Sequence, residues 1–153
     1  MAVHNSLIKD CDRALSLKGK NQALNIAELI DNFAQKPEAI ICSKALRAKE
    51  TADIISTKIN TPITLDDKIY SGNQQDLEKI ITLVNDEIES LLIIGHNPIL
   101  EEFAALYNNS EWESTLQAGI MPASLLEFEL DVENWCDFDN TTSKMTNLWK
   151  AKD

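Results

Sequence analysis

The stretch Leu91-Leu92-Ile93-Ile94-Gly95-His96-Asn97-Pro98 decides how this sequence is read. Four consecutive apolar residues, too few for a helix, fit a strand buried on both faces. The run ends abruptly. Gly95 permits close backbone approach, Asn97 is a good helix N-cap and Pro98 suits a first helical position. Ile99, Phe103 and Leu106 then supply one apolar helix face. A strand running straight into a helix is the unit of an α/β sheet.

The same unit recurs upstream. Ala39-Ile40-Ile41-Cys42 is a second buried strand, Ser43 an expected N-cap, and Ala48, Ala52, Ile55 and Ile59 mark the helix after it. Ala23, Ile26, Ala27, Ile30 and Ala34 predict an earlier helix over about Leu17–Gln35, closed by Pro37. Thr61-Pro62-Ile63-Thr64-Leu65 reads as an edge strand, where proline is tolerated. Leu77, Ile80, Ile81, Val84 and Ile88 predict a further helix. Ser124–Leu130 and Thr146–Trp149 read as closing strands. The alternation predicts one α/β domain of three layers, αβα, with a mostly parallel sheet.

Composition narrows the function. The 153 residues carry a formal net charge of −11, which opposes general binding to nucleic acid. No apolar run approaches the ~20 residues of a membrane span, and Met1–Ser6 shows no leader pattern. The three cysteines, Cys11, Cys42 and Cys136, have no C-x-x-C spacing, and the two histidines are far apart. Disulfides, a metal centre and a cofactor are therefore not expected, and a reduced, cytoplasmic setting is.

Ligands of open α/β sheets bind at the carboxyl ends of strands, where free N–H groups and the helix dipole favour an anion. Cys42-Ser43-Lys44-Ala45-Leu46-Arg47 and Gly95-His96-Asn97-Pro98 are two such ends. Arg47 could clamp a phosphate or be a solvated surface arginine. His96 could be functional or structural, and Arg13 could be a helix-entry residue. Only two arginines exist, Arg13 and Arg47, so any bidentate anion contact falls to them. Cys42 precedes Arg47 loosely as in a cysteine phosphatase loop, but with four intervening residues rather than five and no glycine nest. A buried, inert Cys42 is the expectation.

Taken together, three motifs carry more. Asp12-Arg13-Ala14-Leu15-Ser16-Leu17-Lys18-Gly19, then Cys42-Ser43-Lys44-Ala45-Leu46-Arg47-Ala48-Lys49-Glu50-Thr51-Ala52, then Gly95-His96-Asn97-Pro98 resemble the SixA-type phosphohistidine phosphatases of the histidine phosphatase, or phosphoglycerate mutase-like, superfamily. The resemblance spans about Asp12 to Phe128, includes Met121-Pro122-Ala123-Ser124, and weakens after Trp135. It implies a two-step phosphoryl transfer, in which a histidine takes the phosphoryl group and water removes it. It assigns Arg47 and His96 to catalysis and Arg13, Arg47 and His96 to the phosphoryl oxygens, with Ser43 and Asn97 flanking. It implies a phosphorylated histidine-containing protein, such as a phosphotransfer domain, or a small phosphomonoester as substrate. No capping insert is visible, which favours the protein substrate. Phosphohistidine leaves easily, so no strong general acid is demanded, and Asp66, Asp67 and Glu101 stay unranked.

The family pattern begins with a central apolar strand ending in Arg-His, whose histidine is the nucleophile. This sequence has no Arg-His dipeptide. His4 has no strand before it, and the nucleophile role is not carried over to it. Such a strand would hold much of a small domain's stability. The expectation is therefore that Met1 lies downstream of the true start, with the strand and Arg-His encoded upstream. The other readings are a phosphate- or phosphohistidine-binding module without turnover, and an inactive fragment.

Overall fold

The computed structural model describes residues 9–109 and 111–152. His4 lies outside the described residues. Three strands, β1 (Ala39–Ser43), β2 (Ile63–Asp66) and β3 (Leu91–Ile94), form a parallel sheet in the order β2-β1-β3. The register pairs Ile40 with Ile63 on one side and with Leu92 on the other. β4 (Ser124–Leu130) and β5 (Ser143–Lys150) form an antiparallel pair, irregular in register between Glu127 and Phe128.

The sheet separates two apolar clusters. On one face, α1 (Leu17–Asp31) and α2 (Leu46–Ile59) bring Ile26, Ile30, Ala52 and Ile55 against Ile40, Cys42, Leu92 and Ile94. On the other, α4 (Gln74–Thr82) and α5 (Ile99–Tyr107) bring Leu77, Ile81, Phe103 and Tyr107 toward Ile41, Leu91 and Ile93. Alternate residues of one strand thus serve opposite clusters, as the period of two requires. The three-layer α/β expectation holds. Two short helices, α3 (Lys68–Ser71) and α6 (Glu113–Gln117), sit in the connections.

Several boundaries depart from the sequence expectation, each through local polar chemistry. α1 ends at Asp31 rather than near Gln35, because Asn32 turns its Nδ2 back to the Glu28 carbonyl at 2.7 Å. α4 ends at Thr82, leaving Val84 and Ile88 outside it. Asn85 Oδ1 accepts from Glu87 N at 2.9 Å, an Asx turn that competes with another helical turn. The buried face of α5 is Ile99, Phe103 and Tyr107, and Leu106 is 45% exposed. Neither expected cap forms. Ala45 precedes α2, and Pro98, after a cis peptide bond from Asn97, precedes α5. Ser16 does cap α1, accepting from Gly19 N at 3.1 Å.

Among the described residues, β3 pairs only with β1 and β4 only with β5. Both line one cleft of about 1070 Å³. Its walls include Ile30, Phe33, Leu92, Phe103, Leu126 and Phe128. No described helix is long and apolar enough to cross a membrane.

Candidate active site

The carboxyl ends of β1 and β3 lie side by side, because Cys42 and Ile94 are register partners. The segments leaving the two strands therefore converge. Arg47, in the first turn of α2, and His96, two residues beyond β3, meet with Nη2 3.4 Å from Nδ1. A guanidinium can only donate, so Nδ1 accepts and the imidazole proton lies on Nε2. Burial and then the Arg47 charge hold His96 below its ordinary pKa of 6.5, against the opposing pull of the Tyr70 backbone and Asp10. At neutral pH the ring is a neutral Nε2–H donor.

Two residues that the strand-end reading missed complete the surroundings. Tyr70 sits on α3, one turn beyond the end of β2, with its ring edge-on to His96 at 5.2 Å and 89°. α3 can pack here because Gly95 has no side chain. A Cβ at that position would lie 2.8 Å from the Cγ2 of Ile69, itself wholly buried. Asp10, in a 3-10 turn, receives Arg47 Nη1 on its carbonyl at 2.8 Å and Arg47 Nη2 on its carboxylate at 3.1 Å. Arg13 Nη1 donates to the same carboxylate at 3.2 Å, and the Tyr70 hydroxyl does so at 3.2 Å. Although burial pulls the other way, Arg47, Tyr70 and Arg13 together hold the Asp10 carboxyl below 3.8.

Asp10, Arg47, Tyr70, Asn73, His96, Asn97 and Glu102 are among the residues that line an open pocket of about 390 Å³. Of the residues read from the sequence, Arg47, His96 and Asn97 are brought together here, and Arg13 reaches them through Asp10. Asn97 turns its amide away, donating to the Ile120 carbonyl at 3.2 Å. Ser43 is fully buried, and its Oγ accepts from Ala45 N at 3.3 Å. Asp66 holds Lys68 N, Asp67 pairs with Lys44, and Glu101 accepts from Ile120 N. Cys42 is fully buried, and burial and then Asp53 push its thiol up to about 12. It is no nucleophile in this fold. Among the described residues, no group of three or more His, Cys, Asp or Glu is placed to hold a metal ion.

Comparison with known proteins agrees with this architecture. An uncharacterized protein of Mycobacterium leprae (strain TN), ML1117, is 27% identical over 103 residues, 67% of this chain and 63% of the relative. The chain thus spans less than two thirds of that relative's length. A Nakamurella multipartitia structure assigned as phosphohistidine phosphatase SixA superposes with a TM-score of 0.86 at 16% identity, covering 98% of this chain and 91% of the other. The protein histidine phosphatase SixA complexed with tungstate gives 0.76 at 18% identity, covering 98% and 91%. At these identities the likeness is one of fold. The sequence model of the histidine phosphatase superfamily, branch 1, matches residues 2–79, about half of the chain. The chain belongs to that superfamily.

Proposed function

We propose that this chain is the scaffold of a phosphohistidine phosphatase, which removes a phosphoryl group from a histidine of a partner protein through a phosphohistidine on the enzyme. The observation that carries the reading is the convergence of Arg47 and His96 at adjacent strand ends in one open pocket. Phosphoryl transfer depends chiefly on positioning and charge stabilisation. Arg47 supplies the fixed cation. His96, neutral with its proton on Nε2, supplies a donor that adds no further charge. Arg13 adds a second guanidinium at the Asp10 side of the pocket. The openness of the pocket suits a histidine presented on a protein surface better than an enclosed small phosphomonoester. A cytoplasmic setting accords with a thiol as buried and unpaired as Cys42.

The cleft between β3 and β4 supports the expectation of one more strand. Each flanking strand offers an edge unpaired among the described residues, and the walls are largely apolar. An apolar strand ending in Arg-His and seated beside β3 would bring a histidine to the level of His96, in position to attack phosphorus.

A non-catalytic phosphohistidine-binding module is the second reading. It is favoured by the pocket lining, which among the described residues includes a single histidine, His96, and no cysteine. One assay separates the two. The chain, alone and carrying an N-terminal extension that encodes such a strand, is incubated with a phosphorylated histidine phosphotransfer protein. Phosphate release by either form, with a phosphohistidine trapped on the enzyme, supports the phosphatase. Binding without release by both forms supports the module, and neither binding nor release by both would refute both readings.

A further inference from the structure

The pocket of Arg47 and His96 already holds an anion supplied by the chain itself. The Asp10 carboxylate receives three donors from three places in the sequence. These are Arg13 Nη1 at 3.2 Å, Arg47 Nη2 at 3.1 Å and the Tyr70 hydroxyl at 3.2 Å. Such convergence of two guanidiniums and a phenol on one small oxyanion is the donor set of a phosphate or carboxylate seat. Asp10 is no structural linchpin that must stay there. Its side chain is 52% exposed, and its turn buries no residue. Tyr70 is likewise placed for the seat and not for the core. Ile69 beside it is wholly buried, whereas Tyr70 is 38% exposed and turns its hydroxyl to Asp10.

We infer that Asp10 is an internal ligand occupying the phosphoryl seat, and that Tyr70 is a substrate-contacting donor of that seat, released to the substrate when Asp10 leaves. This rests on the phosphate-binding reading of the pocket and extends it in two ways. Tyr70 gives the seat a neutral donor on the side away from Arg13 and Arg47 in sequence, carried by the end of β2. Asp10 makes the seat selective. A ligand must offer more to the three donors than a tethered carboxylate does, which a tetrahedral dianion can and a monoanionic carboxylate cannot. No bond is made or broken in the exchange. One oxyanion replaces another, and Asp10 moves into water.

Inorganic phosphate titrated into the full chain, followed by calorimetry and by the His96 imidazole resonances, tests this. Asp10→Asn keeps the shape and removes the competing charge, and should tighten phosphate about tenfold, the scale of one charge-assisted hydrogen bond. Asp12→Asn removes a neighbouring charge outside the seat and should change affinity less than about twofold, since exposed charges are screened. In the Asp10→Asn background, Tyr70→Phe should weaken phosphate about five- to tenfold. The ring that meets His96 edge-on is kept in that variant. Equal gains from Asp10→Asn and Asp12→Asn would reduce the effect to bulk charge and overturn the displacement. An unchanged affinity for Tyr70→Phe would overturn the donor role. Arg47→Ala separates the underlying reading. If it abolishes phosphate binding while Asp10→Asn gives no gain, the pocket binds phosphate but Asp10 does not fill its seat. If binding survives Arg47→Ala, the phosphate reading of the pocket falls first.

Discussion

At the residue scale, the site was half legible. Arg47 and His96 could be found because each comes after an apolar run at a strand-to-helix junction, the place where an α/β sheet binds ligands. Tyr70 and Asp10 carry no such signal. Tyr70 does come after a strand, β2, but β2 is short and half-polar, and a tyrosine in a four-residue helix has no pattern of its own. Asp10 is one of many acidic residues, and only the folded chain reveals that Arg13, Arg47 and Tyr70 meet on it. Ser43 also stands at the right place in sequence, yet the folded chain buries it fully beside the equally buried Cys42. The environments of His96 and Cys42 lead to two outcomes. The pKa of His96 is depressed below 6.5 in the folded chain, so unfolding takes up a proton as pH falls past that value. The stability His96 contributes is therefore complete above pH 6.5 and is lost as pH falls toward its folded pKa. Denaturant midpoints measured across that window should drop for the wild type and drop less for His96→Gln. Bound phosphate should raise the imidazole pKa seen by NMR, since a dianion opposes the Arg47 charge. With its thiol up at about 12, Cys42 should resist iodoacetamide in the native chain, while the exposed Cys136 is labelled. Mass spectrometry of the two peptides reads this directly.

At the element scale, existence was legible and endings were not. The apolar runs of β1, β3 and β4 and the periodic faces of α1, α2 and α5 announce themselves because burial dictates them. Their ends are decided by single polar side chains competing for backbone groups. Asn32 closes α1 and the Asn85 turn stops α4 before the periodic pattern runs out. An unread capping box, Asn73 with Asp76, opens α4. Gly95 is the element-scale residue with the largest expected effect. Because its Cβ would meet buried Ile69, Gly95→Ala should displace α3 and with it the ring of Tyr70. The expected cost is about 1–3 kcal/mol of stability, as for overpacked cores. The Tyr70–His96 ring contact should loosen too, visible as altered His96 proton shifts. An alanine variant with unchanged stability and shifts would show that Ile69 yields freely.

At the scale of the whole molecule, the class and layering were legible, because strands and helices alternate over the first two thirds of the chain. The division of the strands into a parallel group of three and an antiparallel pair was not. Pairing order depends on contacts distant in sequence, and no local pattern carries it. The cleft between the two groups predicts that an apolar strand fused at the N-terminus and seated there would raise the denaturation midpoint. Each side chain it buries should add about 1.5–3 kcal/mol before ordering costs are subtracted. Trp135 and Trp149 line the cleft, so their fluorescence should shift to the blue in the same variant. The cleft's rim has a separate consequence. Asp86, Glu89, Glu127, Glu129 and Glu133 line it and, among the described residues, no lysine or arginine does. Open sheet edges invite pairing between molecules, and like charges beside them hold copies apart. That repulsion reaches only as far as the ionic atmosphere allows, about 30 Å at 0.01 M salt and about 8 Å at 0.15 M. Colloidal behaviour should therefore invert the usual benefit of salt. Solutions of this chain should scatter least light at low ionic strength and associate as salt is added.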